Sequence, residues 1–185
     1  MSGSFLRKSL VVFFGCAIIA FTAGAGYVNA AAVGDLVSNP QIKDAEDNPA
    51  VVPDFGTKVL GITYANTGAS DLGDPIADAT KAKKYDKALY TGLGVANLKD
   101  SPVPNFIIRK IIKGKIEKYQ ATILTDADLT LPKTWGLGDV NDKSVFMVIG
   151  KDKKIKFIKF ADKKNPWTPA EVTAAIKVID DLVKK

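Results

Sequence analysis

The segment Ser144-Val-Phe-Met-Val-Ile149 is followed, after a short polar link, by Lys154-Ile-Lys-Phe-Ile-Lys-Phe160, and this pair gives the strongest indication of the fold. Both segments are rich in β-branched and aromatic residues, and the second places lysines between its apolar residues, as half-buried strands do. The link Gly150-Lys-Asp-Lys153 is short, polar and begins with glycine, which is typical of a hairpin. The sequence therefore predicts two adjacent antiparallel strands.

An amphipathic helix is predicted to follow this hairpin. The segment Thr168-Pro-Ala-Glu171 is a capping box with proline at the first helical position. Beyond it, apolar residues repeat at helical spacing at Val172, Ile176, Ile179, Leu182 and Val183. The sequence therefore predicts a C-terminal helix whose apolar face packs against the rest of the domain.

Upstream of the hairpin, strand and helix patterns alternate. The apolar run Lys58–Ala65 predicts a buried strand. Asp74 and Pro75 predict the N-cap and first position of a helix that reaches about Tyr90. A short second strand is predicted at Val95–Leu98.

A second amphipathic helix is predicted over Pro104–Tyr119. Its apolar stripe consists of Phe106, Ile107, Ile108, Ile111, Ile112, Ile116 and Tyr119, and its basic residues Arg109, Lys110, Lys113 and Lys118 lie largely across from it. We interpret the basic face as the solvated side of a core helix, with membrane binding as the alternative. Gln120–Thr125 predicts a third strand, and Leu131–Leu137 a short helix or turn.

This order of elements predicts an α/β fold. Strand–helix units followed by an antiparallel hairpin and a closing helix indicate a thioredoxin-like mixed β-sheet flanked by helices on both faces. We place this domain at residues 50–185, with a short edge strand at Ala50–Val52. Residues 31–49 contain Asn39-Pro40 and Asn48-Pro49 and are predicted to be an extended N-terminal segment.

Residues 1–30 have the layout of a secretory signal peptide. The uncharged segment 9–27 follows Arg7 and Lys8 and precedes Val28-Asn-Ala30, so cleavage is expected between Ala30 and Ala31. The alternative is an inner-membrane anchor formed by residues 9–27, which are 19 residues long and nearly sufficient to span a bilayer. A periplasmic location is expected, with membrane association only if this segment is retained.

The rare residue types exclude several kinds of chemistry. The 185 residues contain no histidine and a single cysteine, Cys16. There is no Ser-His-Asp triad, no histidine-bearing metal site, and no CxxC pair. Cys16 lies inside the apolar segment. A lipid-acceptor cysteine of a lipoprotein is the less favoured interpretation of this residue. Cleavage after Ala30 would leave the mature chain without cysteine. The net charge is +6, but acidic residues are interleaved with the lysines and no concentrated basic patch forms, so nucleic-acid binding is not expected.

The C-terminal half resembles a known family. The segments that carry the resemblance are Ile123–Asp126, Trp135–Leu137, Asp142–Asp152 and Trp167–Val172. They resemble the YtfJ family of exported bacterial proteins, and the resemblance spans roughly residues 50–185. It implies a thioredoxin-like fold and export. It implies no activity for any named residue, because the motifs are mostly structural.

The expected redox motif is missing from its usual place. In redox-active thioredoxin-like proteins the first central strand leads to a CxxC at a helix start, where the helix dipole stabilises a thiolate. Here that place reads Ala65-Asn-Thr-Gly-Ala-Ser-Asp71, and the position of the usual cis-proline is taken by about Asp142-Lys-Ser144. Thiol–disulfide exchange and peroxiredoxin activity are therefore excluded for the mature chain. We predict a binding loop instead, formed by Tyr64, Asn66, Thr67, Ser70, Asp71, Asp142 and Ser144.

Three functions remain open from the sequence. The first is a non-catalytic periplasmic protein, without a cofactor, that binds another envelope protein or a peptide segment. The second is a metal- or small-ligand-binding module, whose weak metal candidates are Asp71, Asp74, Asp126 and Asp128 at strand and helix ends. The third is a histidine-free enzyme using Ser70 or Ser144, although no SxxK motif is present. No catalytic residue is assigned, and no metal is expected.

Overall fold

A computed structural model describes residues 30–119 and 121–184. The signal-peptide prediction for residues 1–29 lies outside this part of the chain. The described residues form seven strands: β1 (Gln41–Lys43), β2 (Pro49–Val51), β3 (Val59–Ala65), β4 (Tyr90–Asn97), β5 (Thr122–Asp126), β6 (Ser144–Ile149) and β7 (Ile155–Ala161). They also form four α-helices: α1 (Asp74–Lys83), α2 (Asn105–Tyr119), α3 (Thr130–Trp135) and α4 (Pro169–Val183).

All seven strands join one mixed sheet with the order β2-β1-β5-β4-β3-β6-β7. β3, β4 and β5 are parallel, whereas β6 and β7 form the predicted antiparallel hairpin beside β3. β1 belongs to the sheet although it lies in residues 31–49, which the sequence suggested were merely an extended segment. β1 is short and lacks a strong hydrophobic pattern, so composition alone did not reveal it.

Helices cover both faces of the sheet, as predicted. On one face, α1 and α4 pack over Val59, Phe146 and Val148, and α2 packs farther along over Ala96 and Ile123. α3 and the N-terminal segment cover the other face. Alternation along β3 explains why its core side chains are shared between the two faces of the sheet, since successive side chains of a strand point to opposite faces.

Tyr90 covers the sheet at Gly61. A Cβ atom added at Gly61 would overlap the Tyr90 ring, so this strand position has room only for glycine. Burial raises the pKa of the Tyr90 hydroxyl to about 12. Tyr85 packs against Tyr90 with ring centroids 4.9 Å apart, and its hydroxyl donates a hydrogen bond to Asp180 of α4.

These tyrosines explain why two predicted boundaries were wrong. α1 ends at Lys83 rather than near Tyr90, because Lys84 adopts a left-handed conformation (φ 50°) and the chain then turns around Asp86. Tyr90 starts strand β4, which is therefore longer than the predicted Val95–Leu98. The helix also begins one residue early: Gly73 is the N-cap and Asp74, the predicted cap, lies in the first turn without a side-chain capping bond.

The predicted apolar stripe of α2 is only partly buried. Ile108 and Ile112 pack beside Ala45 and Leu98, and Ile116 is partly buried with them. Phe106, Ile107 and Ile111 are exposed to solvent. The interpretation of α2 as a core helix with one wet basic face is therefore wrong for three of the six apolar residues whose side chains the structure describes, because the sheet covers only one side of the helix. No helix in the described residues is both long and apolar enough to cross a membrane.

Candidate functional site

Asn66 organises the place where a redox motif was expected. It follows β3 directly and is buried. Its side-chain amide nitrogen lies 3.2 Å from the carbonyl oxygen of Asp100 and 3.3 Å from carboxamide and carboxylate oxygens of Asn141 and Asp142. Its side-chain oxygen accepts a hydrogen bond from the Ala69 amide at 3.0 Å. One carboxamide therefore joins the loops that follow β3, β4 and α3.

Neighbouring residues reinforce this junction. The Thr67 and Ser101 hydroxyls are 2.6 Å apart, which links the same two loops again. Asn97 donates from its side chain to Asp100 and accepts from the Asp100 amide, so the loop after β4 is closed on itself. Asp142 holds its position with a left-handed backbone (φ 51°), a conformation that aspartate tolerates better than most residues. The junction is thus held by polar side chains and contains no sulfur.

Ser70 and Asp71 lie on the exposed rim of this junction. They begin a 3₁₀ turn over Ser70–Gly73 that leads into α1. The Ser70 hydroxyl donates to the Asp71 carboxylate at 3.0 Å, and it also lies 3.3 Å from the Thr67 carbonyl. Ser70 is half-buried and Asp71 is exposed. They are available to an incoming molecule in a way that Asn66 is not.

Ser144 is placed differently from the other predicted site residues. Its hydroxyl is buried at the first residue of β6, and no group in the described residues hydrogen-bonds it. It approaches Gly73, where an added Cβ would lie only 2.9 Å from the hydroxyl oxygen. Ser144 is therefore enclosed beneath the junction, and its hydroxyl does not reach the surface.

Tyr64 and Asp126 also form a buried pair away from the surface. The tyrosine hydroxyl donates to a carboxylate oxygen of Asp126 at 3.3 Å. Burial, helped by the negative charge of Asp126, raises the pKa of Tyr64 well above its ordinary value. The same carboxylate accepts from the amides of Asp128, Thr130 and Leu131, so it caps the start of α3. Tyr64 is therefore a structural residue here.

The predicted acidic cluster does not assemble. Asp126 already accepts four hydrogen bonds, whereas Asp71 is exposed and Asp74 starts α1. Across residues 30–119 and 121–184, no three carboxylates lie close enough to share a metal ion. The sequence placed these residues at converging element ends, but the carboxylate of Asp126, at the end of β5, is turned toward the backbone at the start of α3.

An open groove of about 380 Å³ lies beside the Asn66 junction. It is lined by Gly68, Asn141, Asp142, Lys143, Asp162, Lys163 and Lys164, which we call the junction groove. Asp139 anchors one wall: the Asn141 amide and the Lys143 ammonium both bond to it and hold the pKa of its carboxyl below the ordinary value. A second, smaller groove of about 240 Å³ lies beside the β1–β5 pair, near Asp126 and Asp128.

Lys163 and Lys164 were not predicted as site residues. They enter the groove because Ser144 pairs with Ala161 in the hairpin register, which brings the residues after β7 beside those before β6. The predicted hairpin contained this information, since antiparallel pairing makes the start of one strand the neighbour of the end of the next. Asn141 was missed for a different reason, because its role depends on the burial of Asn66.

Comparison with known proteins places this geometry in a fold class. No family model matches the chain, and no curated protein matches its sequence. Solved structures do match. One is assigned as the thiol:disulfide interchange protein DsbE of Chlorobium tepidum, with a TM-score of 0.59, 13% identity and coverage of 83% of this chain and 99% of that one.

Two further structures support the same class. The exposed lipoprotein thioredoxin Etrx1 of Streptococcus pneumoniae has a TM-score of 0.56 and 16% identity, covering 78% of this chain and all of that one. A peroxiredoxin-like protein of Aquifex aeolicus has a TM-score of 0.54 and 11% identity, covering 80% and 88%. The chain therefore has a thioredoxin-like fold. It carries one cysteine, Cys16, and none in the segment 65–71.

Proposed function

We infer that this chain is a non-catalytic, thioredoxin-like protein of the bacterial periplasm that binds an acidic peptide segment of another envelope protein. The junction groove is its binding site, with Thr67, Ser70 and Asp71 on the neighbouring rim. Because the chain resembles the YtfJ family, we extend the proposal to the members of that family. The observation that carries it is the Asn66 junction beside an open groove: the usual reactive position is filled by a structural amide, and a surface concavity adjoins it.

The charges of the groove favour an acidic ligand. The carboxylate of Asp162 accepts hydrogen bonds from the amides of Lys164 and Asn165, and that of Asp142 accepts from Asn66. Lys163 and Lys164, by contrast, are exposed and form no ion pair within the described residues. Exposed cations of this kind attract anionic partners, speed their association and discriminate against cationic ones.

Export is part of the proposal. At the predicted cleavage site, Ala30 is exposed, and Ala31 is buried and donates its backbone N–H to the Gly136 carbonyl at 2.9 Å. Etrx1, described as an exposed lipoprotein, shows that this fold serves outside the cytoplasm in at least one case. Mass spectrometry of the N-terminus of protein recovered from cells separates the cleaved form from the form anchored by residues 9–27.

Peptide binding tests the proposed site. Fluorescence anisotropy should detect binding of a labelled glutamate-rich peptide and little binding of a lysine-rich peptide of equal length. The double variant Lys163→Glu/Lys164→Glu should weaken this binding about tenfold or more, since it replaces attraction with repulsion.

The matched control is Lys87→Glu/Lys151→Glu, which makes the same charge change at two exposed lysines outside the groove. It should alter binding much less. Equal weakening by both double variants would show that the net charge of the protein, and not the junction groove, determines peptide binding. Equal binding of the acidic and basic peptides would contradict the proposal that the ligand is an acidic peptide.

A further inference from the structure

Helix α2 presents large apolar side chains to solvent on the face that the sheet leaves uncovered. The exposed fractions are 74% for Phe106, 39% for Ile107 and 52% for Ile111. All three lie within the first two turns of the helix, whereas Ile108 and Ile112 on the opposite side are buried against the sheet. Clustered exposed apolar residues of this size mark an interaction surface more often than isolated ones do.

The positive charges of α2 divide into two sets. Arg109 bonds to Asp47, and Lys113 lies 3.2 Å from Glu46, so the loop between β1 and β2 neutralises both of these cations. Lys110 and Lys115 are exposed and form no ion pair in the described part of the chain. Glu117 is the only acidic residue in the helix sequence. The charge left beside Phe106, Ile107 and Ile111 is therefore positive.

We propose that this face of α2, formed by Phe106, Ile107, Lys110, Ile111 and Lys115, docks on the surface of an anionic phospholipid bilayer. Helices that lie in the membrane interface combine large apolar residues with lysines in this way. The phenylalanine and isoleucines enter the boundary between headgroups and acyl chains, and the lysines extend to the lipid phosphates.

Charge complementarity favours a membrane over a protein partner. Lysine is depleted at the centres of protein–protein interfaces, where it would be desolvated, whereas it is enriched beside membrane-inserted apolar residues. This surface lies on α2 and uses none of the residues of the junction groove. The proposal therefore stands or falls independently of peptide binding.

A local probe tests the docking without interference from residues 9–27. The variant Phe106→Trp places a fluorophore at the most exposed apolar position of the surface, and brominated phospholipids quench tryptophans that enter the bilayer. The native Trp135 and Trp167 are both buried and provide the background in the parent protein. Vesicles that mix brominated phosphatidylglycerol with brominated phosphatidylcholine should quench the new tryptophan. Vesicles of brominated phosphatidylcholine alone should quench it much less.

The control is Lys151→Trp, at an exposed position in the β6–β7 turn. It should show no quenching beyond the background. Adding Lys110→Gln to Phe106→Trp should reduce vesicle binding about fivefold, because each lysine at an anionic surface contributes about that factor. Equal quenching at positions 106 and 151, or none at 106, would overturn the proposal. Loss of a dimer in Phe106→Ser by light scattering would assign the surface to a second copy instead.

Discussion

At the scale of single residues, Asn66 has the largest structural role in the candidate site. Its carboxamide is buried and contacts groups from three loops, so removing it leaves several polar atoms without partners. Unsatisfied buried groups cost more than the hydrogen bonds themselves contribute. The position of the groove walls therefore depends on this one side chain.

The variant Asn66→Ala should lower the free energy of unfolding by about 2–3 kcal/mol. Urea denaturation monitored by circular dichroism measures this change. Thr67→Ala is the neighbouring control, since it removes one exposed hydrogen bond to Ser101 and should cost less than about 1 kcal/mol. A loss for Asn66→Ala no larger than that for Thr67→Ala would contradict the role given to the junction.

Ser144 and Thr125 provide a second comparison, because both hydroxyls are buried but only one has partners. Thr125 accepts from Arg109 at 2.9 Å and lies 2.9 Å from the Asp44 carbonyl, whereas no described group hydrogen-bonds Ser144. Ser144→Ala should therefore be neutral or stabilise the fold by up to about 1 kcal/mol. Thr125→Val should destabilise it by about 2 kcal/mol. Equal losses in urea titrations of the two variants would contradict this difference.

At the scale of elements, α4 is held by its N-terminal capping box and by one ion pair with the sheet. Thr168 and Glu171 exchange the two capping hydrogen bonds, and Glu171 also accepts from Lys159 of β7 at 2.6 Å. The Lys159 side chain, followed by the backbone and hydroxyl of Thr168, lowers the pKa of Glu171 to about 2.

The lowered pKa of Glu171 predicts an acid dependence of stability. A carboxyl with a depressed pKa in the folded state stabilises that state above its ordinary pKa of 4.5, and this contribution is lost as the pH falls toward 2. Thermal melts of the wild type should therefore show a falling Tm over this window. Glu171→Gln should flatten that part of the profile. The comparison is Asp78→Asn, which removes an exposed carboxylate of α1 that forms no ion pair within the described residues and should leave the slope nearly unchanged. An unchanged slope in Glu171→Gln would contradict the assignment.

Strongly patterned elements were predictable from the sequence, and the others were not. The β6–β7 hairpin and the capped helix α4 carry local signals that agree with their tertiary contacts. α1 was predicted too long because Tyr85 and Tyr90 fit a helical pattern, although their rings pack against each other and on Gly61. The exposure of Phe106 and Ile111 depends on the width of the sheet, which local periodicity does not report.

At the scale of the whole molecule, the topology brings together loops that are distant in the sequence. Gly68, Asn141 and Lys163 meet at one end of the sheet because β3, β6 and β7 are adjacent there. The sequence identified two of the groove's three loops from the expected position of the redox motif. It missed the third, since nothing in the composition of Asp162–Lys164 distinguishes it from other lysine-rich turns.

Site-specific photo-crosslinking in the cells that naturally produce the protein tests whether the junction groove binds another envelope protein. Benzoylphenylalanine at position 163, in the junction groove, should form discrete adducts with an envelope protein, and at position 87 it should form none of them. Adding Lys164→Glu should reduce the adducts from position 163. Identical adducts from both positions, or no adduct from position 163 while the folded protein is present in the envelope, would contradict the account of a thiol-free binding protein.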